Sequence, residues 1–194
     1  MGFIIDMGNV LSRDVDIMPR IAEKLGLTVA QVEGFTDDDF NEMVTGALTA
    51  EEFWASFNKH FGTEVREDLM VTLFHPVNDA RVERLIHELK AAGHRVVCGT
   101  NTIESHYRYH VEHGDYEPFD RVYASHLIRL AKPAPAFFGF ILAEEGWRAR
   151  DTFFIDDNPA HVDAARKLGI HSLLYESFTA LRAWLDENRV LAAR

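Results

Sequence analysis

The sequence predicts an α/β fold: a mostly parallel sheet flanked by helices, with a small helical bundle inserted after the first strand. Three observations predict it. The chain opens on an apolar run of strand length, Phe3-Ile4-Ile5, that ends abruptly at Asp6-Met7-Gly8-Asn9. Helical periodicity then takes over across residues 13–76. From Asn78 to Tyr175, short β-rich apolar runs alternate with helical ones. An apolar run with no polar alternation suits a strand buried on both faces, as in parallel sheets.

Each element has a local reason. In the inserted stretch, Thr28-Val29-Ala30-Gln31 and Thr49-Ala50-Glu51-Glu52 fit the capping box, and Gly26, Gly46 and Gly62 fall where helices would stop. Phe53, Trp54 and Phe57 recur at helical spacing and read as packing core. The acidic run Asp37-Asp38-Asp39 is expected to start a helix, where the dipole favours negative charge. Beyond Asn78, the residues Val82, Leu85, Ile86 and Leu89 mark one helix face, with Gly93 as its stop. Arg95 to Cys98 is the second strand and ends at Gly99-Thr100-Asn101. After another helix, a short strand is expected near Val122-Tyr123-Ala124. Pro135 suits the first turn of the apolar helix Ala136 to Ala143, which Gly146 can end. Thr152 to Ile155 forms a further strand that finishes in Asp156-Asp157-Asn158. Pro159 begins a helix stopped by Gly169, and Ile170 to Tyr175 is the last strand. The expected division is a Rossmann-like core from residues 1–12 and 77–194, with residues 13–76 as a helical cap.

Composition narrows the function classes. A chain of 194 residues, 47% hydrophobic and 26% charged, can hold one sizeable core plus a small insert. A net charge of −11 with no basic stripe argues against nucleic acid or an anionic membrane as partner. No apolar run reaches membrane-spanning length, and the N-terminus goes straight into a strand, so a cytoplasmic location is expected. The one cysteine, Cys98, lies in an apolar run and is expected in the core. The oligomeric state is not readable.

The chemistry sits on the strand ends. In a parallel sheet, Asp6, Thr100-Asn101 and Asp156-Asp157 all emerge on one edge, where ligands of such sheets bind. Carboxylates gathered there repel one another unless a cation intervenes. Mg²⁺ meets that need with one or two carboxylates, water and a substrate phosphate. Lys132, beside Pro133, adds a positive charge and Thr100 a hydroxyl. Together they suit phosphoryl transfer to a carboxylate nucleophile.

The order of hhhDxG, hhxxTN, KPxP before an apolar helix, and hhhDD resembles the haloacid dehalogenase superfamily over nearly the whole chain. The first motif, the stretch Thr100-Asn101-Thr102 with His106, and Ile155-Asp156-Asp157-Asn158 most resemble its sugar-phosphate phosphatase branch. The resemblance implies that Asp6 attacks phosphorus and forms an aspartyl-phosphate. It implies that Thr100 and Lys132 hold the phosphate oxygens, and that Asp6, the Gly8 carbonyl and Asp157 hold Mg²⁺, with Asp156 assisting. Gly8, Asn9, Asn101 and His106 join Thr100 and Lys132 as candidate substrate contacts.

One departure bears on mechanism. Most phosphatases of the superfamily carry a second Asp two residues after the nucleophile, as the general acid–base, and here that position is Gly8. Such catalysis is typically worth 10²–10⁴-fold. A leaving group that needs no proton, such as an anomeric sugar oxygen, would tolerate the loss, and so would another donor such as His106. His106, His110 and His113 follow helical spacing and are expected on a partly exposed helix face. The leading expectation is a Mg²⁺-dependent phosphatase of small phosphorylated metabolites, sugar phosphates first. A 2-haloacid dehalogenase and a catalytically weak phospho-ligand-binding or regulatory protein are the alternatives. The candidate cap side chains that would select the substrate include Arg13, Phe35, Phe40 and Trp54.

Overall fold

A computed structural model describes residues 1–191; the side chains of residues 37 and 38 lie outside the described residues. In chain order the elements are β1 (Gly2–Ile5), β2 (Ser12–Arg13), α1 (Met18–Leu25), α2 (Val29–Val44), α3 (Ala50–Phe61), α4 (Leu69–Thr72) and β3 (Val77–Asn78). Then come α5 (Ala80–Ala91), β4 (Arg95–Thr100), α6 (Glu104–Glu112), β5 (Arg121–Ala124), α7 (Ser125–Ile128) and α8 (Pro135–Glu145). The chain continues through β6 (Thr152–Asp156), α9 (Pro159–Lys167), β7 (His171–Leu174) and α10 (Phe178–Glu187).

Five strands form one sheet in the order β5-β4-β1-β6-β7, every pair parallel. Ile5 lies in register with Cys98 on one side and Ile155 on the other. The polar residues that follow each strand are therefore side by side. Alternation along the strands feeds two cores. Phe3, Ile5, Val96, Cys98, Phe153 and Ile155 face α5 and α10, meeting Leu85, Ile86 and Leu181. Ile4, Val97 and Phe154 face α8 and α9, meeting Phe137, Ile141 and Val162.

The helices of the insert enclose a third apolar cluster, with Ile21, Val32, Phe53, Phe57 and Phe74 all buried. Both capping boxes form, and Gly26 and Gly62 adopt left-handed caps, where only glycine escapes a steric cost. The chain leaves the sheet at β2 and returns at β3, and these two pair antiparallel, Ser12 opposite Asn78.

Two expectations need correction, and three elements went unmarked. Residues 37–39 fall in the middle of α2, so its capping box and not the acidic run starts that helix. Of the α6 histidines, His113 is exposed, but His110 is only 3% exposed because the insert packs Phe74 against this helix. The helix α10, which covers the edge of the first core with Leu181 and Leu185, lies beyond the last element the periodicity marked. The brief strands β2 and β3 are too short to leave a period.

Candidate active site

Asp6 follows β1 directly, and its backbone N–H still donates to the Ile155 carbonyl, 3.0 Å, so its Cα is fixed by the sheet. Its Oδ1 accepts from the Met7 N–H at 2.7 Å and from Lys132 Nζ at 2.9 Å. Among the described residues no hydrogen bond engages Oδ2, which leaves one oxygen of the carboxylate for chemistry.

Lys132 lies between two carboxylates: its Nζ is also 2.6 Å from Asp156 Oδ2, and the lysine and Asp156 side chains are both fully buried. Asn101 aims this lysine. Its Oδ1 accepts from the Lys132 N–H and its Nδ2 donates to the Lys132 carbonyl, each at 2.8 Å. The Asn101 side chain thus holds the lysine backbone and contributes to the site through it. Thr100, at the end of β4, is buried, and its hydroxyl makes one long contact of 3.4 Å with the Asn101 carbonyl.

Asp156 is held from every side. Its Oδ1 accepts from the Asn158 N–H at 2.8 Å and meets His161 Nδ1 at 3.0 Å, while Oδ2 takes Lys132. Asp157 is half-buried, and its Oδ2 accepts from Asn9 Nδ2 at 2.9 Å. Asn9 adopts a φ of 55°, which asparagine tolerates better than most residues. Asp6, Asp156 and Asp157 each present an oxygen within 4.8 Å of the others, and they form the one such cluster among the described residues.

The electrostatics follow from this packing. Burial and the neighbouring Asp156 push Asp6 up to about 7, against the pull of Lys132. Asp156 is drawn to about 2, because Lys132 and His161 outweigh its burial. Burial works against the charge of Lys132, yet the two carboxylates raise its pKa above the ordinary lysine range. Three carboxylates share one ammonium here, so the cluster is short of positive charge. All of its donors are oxygens, the set a hard divalent cation takes. The residues therefore fit Mg²⁺ chemically, with Asp6 and Asp157 better placed to give up an oxygen than the fully engaged Asp156.

Gly8 has an ordinary negative-side backbone, and a β-carbon there would meet only a methyl of Val15, at 3.7 Å. Among the described residues no hydrogen bond or ring contact joins His106 to Asp6, Thr100 or Lys132; its ring stacks on Phe74 with centroids 3.9 Å apart. It lines a cavity of about 390 Å³ with Val15, Asp16, Met18, Glu33 and Phe40. Burial, with His110 close by, lowers its pKa to about 4, so the imidazole is neutral near pH 7. Its buried Nε2 has no partner among the described residues.

Sequence reasoning missed His161, which orients Asp156, and Ser12, which closes the loop after Asp6. His161 sits in the first turn of a helix with no distinguishing pattern. Ser12 is one serine in a turn, and only the fold shows that it is fully buried.

A parallel sheet with an acidic cluster and a buried lysine at the carboxyl ends of its strands puts this chain in the class of α/β proteins whose ligands bind at that edge. The profile of haloacid dehalogenase-like hydrolases matches residues 17–175, and the chain belongs to that family. Over 181 residues it is 28% identical to a drimenol cyclase of Aspergillus calidoustus, covering 89% of this chain and 33% of that protein. Over 96 residues it is 33% identical to a sesquiterpene phosphatase of Aspergillus oryzae, 49% of each chain. The chain thus spans half or less of the curated relatives it matches. Among solved structures, a haloacid dehalogenase family enzyme of Bacteroides thetaiotaomicron, in complex with magnesium and inorganic phosphate, superposes with a TM-score of 0.79. Its identity is 23%, over 93% of this chain and 98% of that one. Among the described residues no helix is long and apolar enough to cross a membrane.

Proposed function

We propose that this protein is a Mg²⁺-dependent phosphatase of small phosphorylated metabolites, with Asp6 as nucleophile. The observation that carries the reading is the bridge Asp6–Lys132–Asp156, with one Asp6 oxygen unengaged among the described residues at the mouth of the sheet. The magnesium- and phosphate-bound relative and the sesquiterpene phosphatase support the same chemistry. Asp6 and Asp157, with the Gly8 carbonyl, would hold Mg²⁺, which supplies positive charge to the phosphoryl oxygens when bound. Lys132 and the Thr100 hydroxyl hold those oxygens as Asp6 forms its bond to phosphorus and the bond to the leaving oxygen breaks. Water then hydrolyses the aspartyl-phosphate and restores the carboxylate. Residues 13–76 act as the cap over this edge.

The cavity beside Val15 is the leaving-group pocket in this reading. Val15, Met18 and Phe40 offer an apolar wall, while Asp16 and Glu33 disfavour a second anionic group on the substrate. Hydroxyls suit those carboxylates and the neutral His106, which supports sugar phosphates. Without a side chain at Gly8 and with His106 neutral, an anomeric oxygen is the best leaving group. The sesquiterpene phosphatase relative adds a second class, an isoprenoid alcohol, which the apolar wall would also take.

Phosphate release from α-D-glucose 1-phosphate, glucose 6-phosphate and farnesyl phosphate, with Mg²⁺ and with EDTA, tests the reading. Release is expected with Mg²⁺ only and is abolished in Asp6→Asn. Turnover that persists in Asp6→Asn, or halide release from a 2-haloacid in EDTA with no phosphate release, would overturn it.

A further inference from the structure

The loop that carries Asp6 is closed by Ser12. The Ser12 N–H donates to the Met7 carbonyl at 2.8 Å, and the Ser12 carbonyl accepts from the Asn9 N–H at 2.6 Å. The hydroxyl of Ser12 is fully buried and does not face the site; it donates to Asn78 Oδ1. Asn78 lies opposite Ser12 where the chain returns to the sheet, and its Nδ2 donates to Asp115 Oδ1 at 2.6 Å. The other oxygen of Asp115 accepts from His110 Nδ1 at 2.7 Å. His110 packs edge-on against Phe74, 5.3 Å between centroids, and Phe74 stacks on His106 at the cavity wall. Both Ser12 and His110 are nearly or wholly buried, so water competes little for these bonds.

We infer that Ser12, Asn78, Asp115 and His110 form one positioning chain, which fixes the loop bearing Asp6 and couples it to the wall of the leaving-group pocket. None of the four touches the reacting atoms. They act through the loop's geometry. The chain also explains why an asparagine and not an aspartate stands at position 78: one side chain must accept from Ser12 and donate to Asp115, which an amide does and an ionised carboxylate does not. The role in turnover rests on the phosphatase reading; the bracing of the loop does not.

The test measures amide hydrogen exchange at Asn9, Leu11, Ser12 and Asp79, whose N–H groups all bond within or to this loop, together with p-nitrophenyl phosphate turnover in Mg²⁺. Asn78→Ala and Asp115→Ala are expected to speed exchange at these amides by about tenfold, the factor one modest hydrogen bond represents. They should lower kcat by a similar factor with KM within about twofold. Asp115→Asn should recover most of both, because its amide can accept from Asn78 and donate to His110 in the other imidazole tautomer. Ile86→Val, a core change on α5 outside the chain, controls for general loss of stability and should leave both readings unchanged. Exchange at the four amides within about twofold of wild type in both alanine variants overturns the inference. So does unaltered kcat in an active protein. If wild type fails to turn over the ester while exchange rises in the variants, the phosphatase reading falls and the positioning chain stands.

Discussion

Replacing Lys132 by methionine tests the electrostatic core of the site most directly. Methionine nearly matches the lysine stem in volume, so packing against the Phe154 ring, 5.7 Å from Nζ, is largely kept. What goes is a charge 2.9 Å from Asp6 and 2.6 Å from Asp156 in a place that water does not reach. At an effective dielectric of ~20, each contact is worth about 6 kcal/mol before desolvation is counted. Removing one partner of a buried pair costs ~3–5 kcal/mol in practice. The lower end is expected here, since Asp6 already sits at about 7 and can take up a proton to relieve the strain. For a chain of this size a loss of ~3 kcal/mol lowers Tm by about 6–12 °C. The assay is thermal unfolding at pH 7 in EDTA, followed by circular dichroism. Mg²⁺ should then raise Tm more in the variant than in wild type, because it supplies the positive charge that Lys132 no longer gives to Asp6 and Asp156. Activity should fall at least ~10²-fold, as for loss of an oxyanion donor. A Tm within about 2 °C of wild type in EDTA would refute the reasoning, because the bridge would then contribute less than ~1 kcal/mol.

Three further outcomes are expected. Asp79 caps α5 and binds Arg81 with both oxygens, and these hydrogen bonds hold its carboxyl at about 2. A depressed carboxylate pKa stabilises the fold above the unfolded value and stops doing so as pH falls through the folded one. Asp79→Asn keeps the cap but loses the ion pair; urea titrations should show a deficit of about 1 kcal/mol at pH 6, reduced by the exposure of Arg81, that closes toward pH 2. Gly99→Ala puts a β-carbon 2.6 Å from an Ile4 methyl inside the core and should cost ~1–3 kcal/mol, whereas Gly8→Ala should stay within about 0.5 kcal/mol; equal losses in parallel melts would contradict the packing. Asn101→Ala strips both partners from the Lys132 backbone and should cost ~1–3 kcal/mol with a fall in kcat larger than any change in KM, read from unfolding and steady-state kinetics.

How much of this was legible in the sequence depends on how far apart the interacting residues lie. Strand ends are local events, so Asp6, Thr100 and Asp156 could be placed on one edge from three short apolar runs and the rule that parallel strands share a direction. Capping boxes are local too, and both formed. The role of Asn101 was not local: its partner is 31 residues away, and no motif spacing reveals that its amide is spent on the backbone of Lys132. The histidines of α6 misled for the same reason. Their spacing is that of an exposed face, and only the return of the insert through Phe74 buries His110. Ser12 and Asn78 were invisible because two-residue strands have no period to read, although their hydrogen bonds close the loop that carries Asp6.

Charge explains why the site is built as it is. Three carboxylates and one ammonium leave the edge of the sheet with two surplus negative charges, in a chain that is itself at −11. Such an edge repels a phosphate ester unless a divalent cation makes up the difference. Lys132 cannot do so alone, because its charge is already shared between Asp6 and Asp156. Its contribution is to keep Asp156 ionised and Asp6 aimed, so that an incoming cation finds one committed carboxylate and two available ones. In the proposed reading the acidity of this edge selects the metal, and the metal in turn binds the phosphate. That order of events predicts that Asp157→Asn weakens phosphate binding, measured by calorimetry with inorganic phosphate, only when Mg²⁺ is present.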